Sequence, residues 1–214
     1  MHTPARMAEA DAQRAAEGLI PELRTRALLA DEMRKVPAEN IDLLRKSGLL
    51  QTIQPAACGG HELSMRAHVD VISTIARGCN ATAWVLGVYH AHSWMLGHIN
   101  GQAQRDVYGD GGEQAVAAVI GPRGKATRKA DGSYLLSGFW PFASGNAASD
   151  WLLLGSEIFD EQGNKLDEGD LLVPKRELEL LDDWFVAGLQ GTGSSVNADR
   201  RLTPIGAVGP PSGP

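Results

Sequence analysis

The chain has 214 residues, 43% of them hydrophobic, and a formal net charge of −6 at pH 7. That is long enough and apolar enough to bury a real core, as one large unit or two small ones. Its Lys and Arg are scattered, which leaves no electrostatic footprint for nucleic acid and no basic amphipathic face for a membrane surface.

The N-terminal stretch "MHTPARMAEADAQRAAEG" carries charges throughout and lacks the apolar segment of a signal peptide. The longest apolar run, residues 81–99, is interrupted by His90, His92, His98 and two glycines, which argues against a membrane span. A cytoplasmic protein without a membrane partner is the expectation. Cys58 and Cys79 form no C-x-x-C pair, so neither a zinc site nor a disulfide framework is expected.

In chain order, the first part reads as helices. Leu19, Leu23 and Ala27 recur at helical spacing. Asn40 is placed to cap "IDLLRKSGLL", with Gly48 as its stop, and Ile72, Ile75, Ala76 and Cys79 form a second apolar stripe. The run "ATAWVLGVYHAHSWMLGHI" is apolar on nearly every side, which predicts a helix buried between neighbours. A short polar helix, "GQAQRDVYGDGG", follows. From Gln114 the pattern changes to short runs, "AVAAVI", "GKATRKA", "SYLLSGFW", "DWLLLGSEI", "GDLLVP" and "RELELLDDW", separated by turn signals such as Asp131-Gly132 and Gln162-Gly163-Asn164. Helices first and strands second predict an α+β fold, with an all-helical domain over 1–112, an antiparallel β-barrel domain over 113–194 and an irregular Pro/Gly-rich tail over 195–214.

Three features could carry chemistry. His92 falls on one face of the buried helix with Val85, Val88, Met95 and Ile99, and His90 points elsewhere. His92 is either a core histidine bonded to a carbonyl or a general base titrating near neutrality. The two histidines diverge and no third ligand is evident, so a metal reading is poor. The glycine-rich "GLQGTGS" lacks the Walker lysine and reads either as a turn or as backbone amides approaching a ligand. In "GFWPFASG", Ser144-Gly145 breaks a strand beside Phe139, Trp140 and Phe142 without the G-x-S-x-G pattern of a hydrolase. It is either an aromatic core plus a turn, or an apolar wall with one hydroxyl suited to a planar aromatic ligand.

The segments "GSYLLSGFWPFASGNAASDWLLLG", "AWVLGVYHAHSW" and "DDWFVAGLQGTGS", behind an all-helical first third, resemble the flavin-dependent aromatic monooxygenases of the acyl-CoA dehydrogenase superfamily, the oxygenase components of two-component p-hydroxyphenylacetate hydroxylases in particular. The resemblance covers about residues 10–194. It implies an N-terminal helical domain, a middle β-barrel and a C-terminal four-helix bundle. It also implies that reduced flavin, FMNH2 or FADH2, comes from a separate reductase and forms a C4a-hydroperoxide that hydroxylates a small phenolic substrate. On this pattern Ser144 hydrogen-bonds the flavin, His92 acts on the phenol with His90 as the second candidate, Trp140 and Phe142 wall the isoalloxazine, Gly145 lets the chain turn, and Ile120-Gly121 approaches the ring. The acyl-CoA dehydrogenases, which carry T-E-P-x-x-G-S-D where this chain has "VIGPRGKA", are the rival reading; an inactive relic or a binding module is another. The family's bundle has no counterpart here, so a truncated gene, frameshifted near Ser194 or Ser195, and self-association through uncovered apolar surface are further expectations.

Overall fold

The computed structural model describes residues 6–99, 101–109, 113–193, 195–202 and 207–208. Among these residues six α-helices come first: α1 (Glu9–Thr25), α2 (Ala27–Met33), α3 (Ala38–Lys46), α4 (Met65–Ala76), α5 (Asn80–Leu96) and α6 (Gly101–Tyr108). Helix α1 buries Ala12, Ala16, Ile20 and Leu23, one stripe at helical spacing, and it packs on α4. The Ser64 hydroxyl caps α4 by accepting the Ala67 N–H at 3.2 Å. Asn40 lies inside α3, whose N-cap is Pro37, and is no cap itself. Its buried amide joins three helical segments instead, accepting from Arg26 at 2.6 Å and donating to Thr82 at 2.9 Å. Gly48 follows α3 at φ +74°, the left-handed geometry expected of a helix stop.

Among the described residues seven strands form one open sheet in the order β5-β6-β2-β1-β3-β4-β7. They are β1 (Val116–Arg128), β2 (Tyr134–Trp140), β3 (Trp151–Phe159), β4 (Lys165–Pro174), β5 (Glu179–Leu181), β6 (Ser195–Leu202) and β7 (Ala207–Val208). Three sequence expectations are corrected here. Among the described residues the sheet is not closed into a barrel, since β5 and β7 are its two edges. It is not purely antiparallel. After the β1–β2 hairpin, residues 141–150 cross to the far side of β1, so that β3 runs parallel to it. The stretch from Ser195 is not an irregular tail: β6 pairs with β2 from Trp140↔Val196 to Tyr134↔Leu202. Residues 203–206 and 209–214 of that expected tail lie outside the described residues.

"AVAAVI" and "GKATRKA" are one strand, β1, with a bulge between Val119 and Gly124. At the bulge Gly121 takes φ +109°, and a methyl on Gly155 of β3 would collide with the Gly121 backbone. One hydrophobic cluster runs through both layers, from Ala12 and Leu23 through Val85 and Tyr89 to Leu136, Trp140 and Val196. Helix α5 is the element between them, packed on α4 on one side and on β1 on the other.

Candidate flavin-facing site

The strand β2 alternates, and that decides where its aromatics point. Trp140 is fully buried, its indole N–H donating to the Gly155 carbonyl at 2.8 Å, and its ring fills the space above Gly124 and Gly138 where methyl groups would collide with it. Phe139 points to the opposite, open face, and Phe142 lies beyond the strand end at φ +63°, 70% exposed. The expected wall of Phe139, Trp140 and Phe142 therefore does not form: Trp140 is a core residue under the β1 bulge, and Phe142 is the presented ring. Trp184 meets Phe142 edge to face with 5.6 Å between centroids, and the Trp184 N–H is held by the Leu189 carbonyl at 3.0 Å.

Ser144 is half-buried, and among the described residues no hydrogen bond engages its hydroxyl; its N–H donates to the Phe142 carbonyl at 2.9 Å. Gly145 turns the chain at φ +79°. Its N–H donates to the Thr192 carbonyl at 2.8 Å, and its own carbonyl accepts from the Tyr89 hydroxyl at 2.6 Å. A methyl on Gly145 would lie 2.9 Å from both Tyr89 and Val85, so only glycine fits between turn and helix. The glycine-rich loop thus serves packing: Gly191 is buried against Ala30 and Ala81, and Thr192 tethers Gly145.

His90 and His92 part company as their spacing suggests. His90 is fully buried, with Nε2 donating to the Leu49 carbonyl at 2.6 Å and Nδ1 2.9 Å from Nδ1 of His68. Both nitrogens are engaged, and burial lowers its pKa to about 3, so His90 is a structural histidine. His92 is half-buried, and its Nδ1 lies 3.2 Å from the Val116 carbonyl at the start of β1. A carbonyl only accepts, so the neutral ring carries its proton on Nδ1 and keeps a lone pair on Nε2. Burial lowers its pKa to about 4. The titration near neutrality expected of a base is therefore absent without a ligand, and a neighbouring anion would be required to raise it.

The two foci share one helix face. Tyr89 and His92, three residues apart on α5, lie on the same side, the first on the Gly145 turn and the second on the first residue of β1. Arg45 fixes that strand start: it donates to the Glu113 carbonyl at 2.9 Å and to Asp150 at 2.8 Å, and the same Asp150 oxygen accepts the Ala115 N–H at 2.8 Å. Ile120-Gly121 lies four residues further along β1, roughly 13 Å at strand rise. Ile120 is 53% exposed, and a methyl on Gly121 would meet nothing within 4 Å. These two residues line a shallow pocket of about 180 Å³ with Pro122, Gly155, Ser156 and Asp170. Enclosed ligand sites are usually larger, so the sheet end is a wall rather than a cavity. Among the described residues no group of three His, Cys, Asp or Glu could hold a metal, and no helix is long and apolar enough to cross a membrane.

Tyr89, Thr192 and Arg45 carry the geometry and were not singled out from sequence. Tyr89 had a visible signal, its i, i+3 spacing to His92; the main-chain role of Thr192 had none.

Residues 6–109 match the family model "Acyl-CoA dehydrogenase, N-terminal domain". Over 181 residues the chain is 31% identical to the flavin-dependent monooxygenase oxygenase subunit HsaA of Mycobacterium tuberculosis, covering 85% of this chain and 45% of the relative. Over most of its length the chain is similar to flavin-dependent monooxygenase oxygenase subunits. It is also 33% identical over 175 residues to the FADH(2)-dependent resorcinol hydroxylase oxygenase component of a Rhizobium species, covering 82% of this chain and 42% of the relative. The crystal structure of the M. tuberculosis HsaA monooxygenase superposes with a TM-score of 0.85 at 28% identity, covering 93% of this chain and 52% of that one. The chain thus spans about half the length of the relatives it matches.

Proposed function

We propose that this chain forms the flavin-facing part of an oxygenase component that hydroxylates a small phenolic substrate, using FMNH2 or FADH2 supplied by a separate reductase. The observation that carries the reading is the Ser144 hydroxyl, which no hydrogen bond engages among the described residues, in the turn beyond β2 two residues from the exposed Phe142 ring, in a chain similar to flavin-dependent oxygenases. An isoalloxazine has two apolar faces and a polar edge, which suits an apolar wall with one hydroxyl. Phe142 and Ile120 supply apolar contact, Gly121 leaves the backbone open to close approach, and Ser144 supplies the hydrogen bond. The flavin, when bound, supplies the oxygen-activating chemistry. His92 stands ready for the substrate. Its Nε2 lone pair accepts a hydrogen bond from the phenolic hydroxyl, and Val116 holds the ring in the tautomer that makes this possible.

The same reading places the protein in the cytoplasm as a homo-oligomer. The support for assembly is the outer stripe of α5, where Trp84 and Trp94 are exposed. Light scattering is expected to give a mass above 22.8 kDa; a monodisperse monomer would contradict the assembly.

The test of function is anaerobic titration with FMNH2 and FADH2, followed by Ser144→Ala. Saturable binding of one of them, weakened about tenfold by loss of the single hydrogen bond to an ionisable ring edge, is expected. Binding that is absent, or indifferent to Ser144, would refute the assignment.

A further inference from the structure

We propose that Tyr89 is the positioning residue of the flavin-facing turn, fixing the Ser144 hydroxyl and setting its spacing from His92. This rests on the reading of Ser144 as the flavin contact. Between Phe142 at φ +63° and Gly145 at φ +79°, the turn carries two left-handed residues, one of them a non-glycine, and needs an external restraint to hold one conformation. Among the described residues, two hydrogen bonds to Gly145 come from outside the turn. The Thr192 carbonyl receives its N–H at 2.8 Å, and the Tyr89 hydroxyl donates to its carbonyl at 2.6 Å.

Of these, the Tyr89 bond carries position directly from α5, the helix that also holds His92. Tyr89 is fully buried, with its hydroxyl committed to a single acceptor. Burial raises its pKa far above the usual tyrosine range, so the hydroxyl stays a proton donor at every working pH. The ring also packs against the Cα of Gly145, closely enough that a methyl there would reach its Cε1. Hydrogen bond and ring contact together lock the turn to α5 in distance and in angle. His92 sits one helical step further on the same face, its ring fixed by Val116. A rigid helix therefore carries both groups, and the separation between the flavin edge and the proton acceptor is set by i, i+3 geometry rather than by loop conformation.

Tyr89→Phe removes the hydroxyl and keeps the ring. Hydrogen exchange at the Gly145 and Asn146 amides should accelerate about tenfold, the order expected for loss of one buried hydrogen bond, while amides of α1 and α4 keep their protection. Reduced-flavin binding should weaken about tenfold, and the difference spectrum of the bound flavin should change shape. Tyr108→Phe, which removes another buried hydroxyl, on α6, should leave turn exchange and flavin spectrum unchanged. Unchanged Gly145 exchange in Tyr89→Phe overturns the proposal whether or not flavin binds. Faster exchange with unaltered flavin affinity and spectrum overturns it as well. If wild-type protein binds no flavin while Tyr89→Phe loosens the turn, the flavin reading fails and the positioning of the turn stands. Should Tyr89→Phe not fold, the wild-type Tyr89 hydroxyl proton decides: a slowly exchanging resonance in the NMR spectrum is expected, and a freely exchanging one overturns the proposal.

Discussion

Two histidines two positions apart on one helix reach opposite fates because of what faces each ring. His90 meets a carbonyl on one nitrogen and His68 on the other, whereas His92 meets a carbonyl on Nδ1 alone. Both are driven neutral by burial, with pKa values of about 3 and about 4 against an ordinary value near 6.5. Between those limits the unfolded chain binds more protons than the folded one, so stability falls as pH drops from 6.5 toward 4. Replacing His92 by Asn keeps a donor for Val116 and removes the titration. Urea midpoints followed from pH 7 to pH 4 should therefore fall less steeply in His92→Asn than in wild type, by the order of 2 kcal/mol over the range; identical slopes would show that His92 is not held neutral by the fold. The divergence of the two histidines was legible in the sequence, since helical period alone separates them. Which was engaged on both nitrogens was not, because the carbonyl of Leu49 and the ring of His68 come from distant segments.

Glycines divide sharply by element. Gly18 lies exposed inside α1 with nothing within 4 Å of a methyl group, so Gly18→Ala should stabilise the protein by about 0.5–1 kcal/mol through helix propensity. Gly155 faces the Gly121 backbone across the bulge, and Gly155→Ala should cost on the order of 3 kcal/mol or more, because backbone cannot move aside. Thermal melts of the two variants should shift in opposite directions; a tolerated Gly155→Ala would mean that the bulge is not packed as described. The strands β1 to β4 could be read from alternation and turn residues, but the parallel pairing of β1 with β3 could not. Period 2 fixes which side chains share a face and says nothing about which neighbour a strand takes after a ten-residue crossover. The strand β6 was missed for a related reason: "SSVNADRR" has little apolar alternation, and its place in the sheet comes from β2 and β5 on either side. The buried side of Trp140 was readable by counting from Leu136, yet the aromatic cluster suggested a common wall.

At the scale of the molecule, helices and strands follow one another in sequence but share a core. Val85 and Tyr89 pack in the same cluster as Leu136 and Trp140, and the Arg45–Asp150 pair ties α3 to the strand start. Urea unfolding followed by far-ultraviolet circular dichroism and by tryptophan fluorescence should therefore give coincident single transitions, whereas separated transitions would mean that the helical layer and the sheet are independent units. The helical first part and the strand-rich second part were legible from the change in period at Gln114, and the family from three motifs together. The shared core was not, because it depends on α5 lying across the sheet. The central claim is that the β2 end and the β1 bulge face a flavin. The most direct test is an anaerobic NMR titration of isotope-labelled protein with FMNH2 and FADH2. The expected result is saturable shifts in the amides of Ile120, Gly121, Phe142, Ser144 and Gly145, with His92 and the outer stripe of α5 little affected. Shifts confined to other surfaces, or none at millimolar flavin, would contradict the claim.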